Sequence, residues 1–147
     1  MKRLRIGGVL VGLVAALALA TNVYATTPQA VTFTVETRLE NHDPFASTGG
    51  LICATGEVST MDRRVTGWQN ESHAQILLVK QFECADGTFD VLLRVTVDFA
   101  SCDTVGTWSV LGGTGAFERL RGAGMLNGDS DCVEVIVDTY VGSVHVD

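Results

Sequence analysis

The stretch Phe89 to Ala100 alternates in polarity, with Phe89, Val91, Leu93, Val95, Val97 and Phe99 on one side of an extended chain and Asp90, Arg94, Thr96 and Asp98 mainly on the other. A period of two is the signature of a half-buried strand, and no helix can bury such a face. The same pattern recurs in Val31 to Glu40, where Val31, Phe33, Val35 and Leu39 oppose Thr32, Thr34, Glu36, Arg38 and Glu40. It returns in Cys132 to Val141, with Val133, Val135, Val137 and Val141 against Glu134, Asp138 and Tyr140. Beyond Gly142 the apolar phase passes to Val144 and Val146, which predicts a bulge.

Between Thr26 and Asp147 no window keeps a helical period. Weaker strands are expected at Leu51 to Ser59, Gln75 to Cys84, Thr107 to Leu111 and Phe117 to Asn127. Turn signals stand at Ala85-Asp86-Gly87, Gly112-Gly113 and Asn127-Gly128. The fold class is therefore all-β, a single antiparallel up-and-down barrel of seven to eight strands, because closure leaves no strand edge exposed.

The first 25 residues have a different character. Lys2, Arg3 and Arg5 precede the uncharged, mostly apolar run Ile6 to Ala20, and Val23-Tyr24-Ala25 has the small-x-small form of a cleavage site. The run falls short of the roughly 20 residues that cross a bilayer as a helix. Residues 1–25 are thus expected to be a signal peptide and 26–147 one exported, secreted domain that leaves the membrane on cleavage.

Cys53, Cys84, Cys102 and Cys132 all fall in that domain, an even number in an exported chain, which points to disulfides. No pair has the C-x-x-C spacing of a zinc site. If strands alternate in direction, the loops beside Cys53 and Cys84 share one end of the barrel and those beside Cys102 and Cys132 the other. Of the three connectivities, 53–84 with 102–132 alone meets the ~4.4–6.8 Å Cα separation a disulfide needs.

Of ten Lys and Arg, three lie in the leader, so the mature domain sets seven against 17 Asp and Glu, a net charge of −10. Such a charge repels phosphate backbones, and nucleic acid is not an expected partner. Asn127, Asp129 and Asp131 have calcium-loop spacing, but Cys132 occupies the position that needs Gly and Asp138 replaces the distal Glu, so no metal is expected. No cofactor motif is present, and the glycines near Gly113 are followed by neither a Lys-Ser/Thr pair nor a helix that could hold a phosphate. Asn70-Glu71-Ser72 is a glycosylation sequon.

The segment Gly106-Thr107-Trp108-Ser109-Val110-Leu111-Gly112-Gly113-Thr114-Gly115-Ala116-Phe117-Glu118-Arg119-Leu120-Arg121-Gly122 resembles the allene oxide cyclase and dirigent barrels, which carry G-G-[ST]-G-x-[FY]-x-x-x-x-G late in the domain. Asp138-Thr139-Tyr140-Val141-Gly142 is similar to their closing strand. The resemblance implies an eight-stranded barrel with a lumen, often a homotrimer, and in the plant cyclases a lumenal carboxylate, for which Glu36 is the counterpart on the first strand.

Alternation places Glu36 on the polar face of its strand, pointing outward and salt-bridged, with Arg94, Asp98, Glu134 and Asp138 on the same solvated exterior. His42, beside Asp43 and expected in a loop at the Cys53 end, is the other candidate general base. The inward set is Phe33, Leu93, Val95, Val97, Val135 and Val137, with Thr37 and Thr139 as the polar lumenal groups. That lumen suits a small apolar ligand, and binding of such a ligand is the expected function. The alternatives are a cyclase or isomerase using Glu36 or His42, and an extracellular protein-interaction module.

Overall fold

A computed structural model describes residues 25–38, 42–133 and 135–147. The signal-peptide assignment therefore falls almost wholly outside the described residues. Eight strands run in chain order: β1 Gln29–Thr37, β2 Asp43–Thr48, β3 Thr55–Asn70, β4 His73–Cys84, β5 Gly87–Asp98, β6 Thr104–Gly113, β7 Leu120–Ser130 and β8 Ile136–Val146. Each pairs antiparallel with the next and β8 returns to β1, closing an up-and-down barrel. A short 3-10 turn, Gly115–Phe117, precedes β7.

Closure follows from the alternation. Val31, Phe33 and Val35 on β1 and Phe89, Val91, Leu93 and Val95 on β5 are buried, and only an enclosed interior removes both faces from water together. Each such side chain contributes about 1.5–3 kcal/mol. The glycine segment has a steric role. Gly115 takes φ +57°, and a Cβ there would strike the Asp86 carbonyl, so the turn before β7 docks on the β4–β5 hairpin backbone to backbone. On β7 and β8, Gly124 and Gly142 leave the space that the Trp108 indole fills, and its N–H donates to the Val141 carbonyl at 3.3 Å.

Three strand expectations need correction. Leu51 to Ser59 is not one strand: residues 43–48 form β2, Cys53 lies in the following loop, and β3 runs on to Asn70. The extra strand brings the His42 loop to the Cys102 end of the barrel instead of the Cys53 end. On β8 there is no bulge at Gly142, since pairing with both β1 and β7 runs through it without a shift. The inward phase of β8 is Asp138, Tyr140 and Val144, all buried, whereas Val137 and Val141 are 38% and 49% exposed. Asp138 thus leaves the exterior set, and Val137 leaves the lumenal one.

Cys53 is bonded to Cys84 and Cys102 to Cys132, one bridge at each end of the barrel, as the alternation of strand direction requires. Two disulfides are consistent with an extracellular protein.

Candidate functional site

The interior has two halves. Toward the Cys53–Cys84 end it is filled by aromatic rings: Phe33 stacks on Tyr140 at 4.4 Å and Phe82 on Phe89 at 4.9 Å, with Phe45, Trp108 and Phe117 against them. Five of the six phenylalanines are used here. Toward the Cys102–Cys132 end the inward side chains are shorter, and a cavity of about 600 Å³ remains. Its walls are apolar, formed by Ile76, Leu78, Leu93, Val95, Val97 and Leu126. Arg38, Arg63, Phe99 and the Cys102–Cys132 bridge also line it.

Where the cavity meets the rings lies a polar layer. Lys80 is buried, and its Nζ contacts Asp138 Oδ2 at 3.3 Å while donating to Thr37 Oγ1 at 2.9 Å. Asp138 also accepts hydrogen bonds from the hydroxyls of Thr37, at 3.3 Å, and Thr104, at 3.4 Å. Asp43, 6% exposed, accepts from the Arg38 backbone N–H at 2.8 Å. All of these side chains line the cavity. Among the described residues the buried Tyr140 hydroxyl has no hydrogen-bond partner. Burial first, then the carboxylates of Asp138 and Asp43, push its pKa well above the ordinary value.

Sequence reasoning assigned the lumen only Thr37 and Thr139 as polar groups, and that assignment is corrected. Thr139 sits between the inward Asp138 and Tyr140 and so lies on the outer side of β8. Leu93, Val95, Val97 and Val135 line the cavity, and Phe33 points inward but belongs to the packed half. Glu36 points outward and pairs with Arg38 at 3.3 Å. His42, in a positive-φ conformation, is exposed, with Nδ1 3.2 Å from Ser59 Oγ and 3.9 Å from Glu57. The structure does not bring Glu36 and His42 together with the cavity floor.

Lys80, Asp43 and Tyr140 were missed as site residues although a signal was there. Lys80 shares its period with Ile76, Leu78 and Phe82, Asp43 with Phe45, and Asp138 with Tyr140 and Val144. A charge in phase with the apolar residues of its own strand marks a lumenal group. Among the described residues no cluster of His, Cys, Asp and Glu could hold a metal ion. No family model, no curated protein and no solved structure matches the chain.

Proposed function

We propose that the protein is an exported barrel of the allene oxide cyclase and dirigent type that binds a small, mostly apolar molecule in the open half of its lumen. The observation that carries this reading is the cavity itself. It measures about 600 Å³, opens at one end and has walls of aliphatic side chains, in a barrel whose other half is packed with rings. A barrel selected only for stability would fill both halves, because an apolar cavity costs dispersion contacts on its whole lining. The family resemblance of Gly106 to Gly122 supports the reading, and the homotrimer it implies belongs to the same proposal.

The polar floor favours a second reading, an isomerase or cyclase acting on the bound molecule. Its reacting groups would be drawn from Lys80, Asp138 and Asp43, because Glu36 and His42 face solvent. Native mass spectrometry of protein purified from its own culture medium tests the proposal. A mass increment that is lost on unfolding and recovered as a small molecule is expected, and the same spectrum gives the oligomeric state. Ligand-free protein that also fails to take up any apolar probe would contradict it.

A further inference from the structure

The floor of the cavity contains two buried carboxylates and one buried ammonium. Lys80 is committed to Asp138. Asp43 is different: it is 6% exposed and lines the cavity, its hydrogen bond comes from a neutral backbone N–H, and among the described residues no cation lies within 4.0 Å of it. Arg38, which also lines the cavity, pairs its guanidinium with Glu36 at 3.3 Å, and His42 contacts Ser59 and Glu57. Arg63 is exposed and also lines the cavity, with no ion pair to Asp43. A buried carboxylate without a counter-ion is costly, and a cation brought by a ligand relieves that cost where the protein offers none.

On the strand that carries Asp138, the buried Tyr140 hydroxyl has no hydrogen-bond partner among the described residues, and burial, then the carboxylates of Asp138 and Asp43, raise its pKa. An anionic head group at the floor would meet the Asp43 carboxylate, with the Lys80 ammonium already engaged by Asp138. A neutral alcohol could donate a hydrogen bond to Asp43 but would leave its charge uncompensated. An ammonium supplies both hydrogen bond and charge.

We propose that the cavity takes a small apolar amine, with its ammonium head paired to Asp43 at the floor and its hydrocarbon body along Ile76, Leu78, Leu93 and Val95. This inference rests on the reading of the cavity as a ligand chamber and adds the chemical class of the ligand. The net charge of −10 on the mature domain would draw a cation toward the barrel from a distance.

The test is calorimetric titration of the intact mature protein at neutral pH with octylamine, octanol and octanoate, which share a tail and differ in head-group charge. Octylamine is expected to bind on the order of tenfold or more tighter than octanol, and octanoate most weakly. Asp43→Asn should bring octylamine down to about the affinity of octanol, and a circular dichroism spectrum and thermal unfolding like those of the unaltered protein show that the variant is folded. If Asp43→Asn does not fold, the head-group series on the unaltered protein decides alone. Octanol or octanoate binding as tightly as octylamine, or an amine preference that survives Asp43→Asn, would overturn the amine assignment while leaving the chamber in place. Binding of none of the three would remove the chamber reading and this one with it.

Discussion

Val91 and Val95 lie on the same face of β5, and they meet opposite surroundings. Val91 is fully buried and belongs to the packed core, while Val95 forms part of the cavity wall. The same division runs round the barrel: β1 passes from Phe33 to Thr37, β4 from Phe82 to Lys80 and Leu78, and β8 from Tyr140 to Asp138. Stability resides in the half that is filled. Capacity for chemistry and binding resides in the half where shorter side chains and an incompletely compensated polar layer replace the rings. The two halves should therefore answer differently to substitution.

The largest effect is expected from Phe82→Ala, because this ring contacts Phe33, Phe45, Phe89 and Tyr140 and no rearrangement of the closed end can refill its volume. Loss of about 3–5 kcal/mol is expected from urea unfolding. A loss below about 1 kcal/mol would mean that the packed half is not the stabilising one.

Lys80→Met should come next. It leaves Asp138 buried without its cation, with an expected cost of about 3 kcal/mol, and the double change with Asp138→Leu should recover most of the loss. If the double variant is no more stable than the single one, the layer is held by something other than this pair.

Tyr140→Phe should be the mildest of the three. It deletes a buried hydroxyl that has no partner among the described residues, so stability near neutral pH is expected to change by less than about 1 kcal/mol, toward greater stability. The informative change is alkaline. The phenol is held well above its ordinary pKa in the folded state, so the native state retains a proton that the unfolded chain releases above about pH 10. The stability Tyr140 contributes is therefore intact below that pH and lost as pH rises toward the folded-state pKa. The alkaline limb of a stability-against-pH curve should be flatter in Tyr140→Phe than in the unaltered protein. Parallel curves would show that the hydroxyl is not buried as described.

The packed half was largely legible in the sequence. Phe33, Phe89 and Val91 alternate with polar residues, and the disulfide pairing follows from strand direction alone. The open half was misread at β8, for a physical reason. The outer wall of that strand is itself valine-rich, with Val137 and Val141 exposed, so counting apolar residues assigns the wrong face. The phase of Val144 and Val146, taken as a break after Gly142, is in fact the inward phase of the whole strand. Tyr140 and Asp138 continue it. β2 was missed because its one strongly apolar side chain, Phe45, follows a proline, and Pro44 reads as a turn. With that strand missing, neither the placing of His42 nor the approach of Asp43 to the cavity could be foreseen.

The claim that the open half is a ligand chamber and the closed half is not can be tested most directly by filling each from the same strand. Nile red, a neutral dye whose emission rises in apolar surroundings, should bind the unaltered protein with one-to-one stoichiometry. Val95→Trp projects an indole into the cavity and should abolish that binding while costing less than about 1 kcal/mol of stability. Val91→Trp overpacks the closed half and should cost about 1–3 kcal/mol while leaving dye binding in place wherever the protein remains folded. Dye binding that is undiminished in folded Val95→Trp would contradict the account, because the site of binding would then lie outside the lumen.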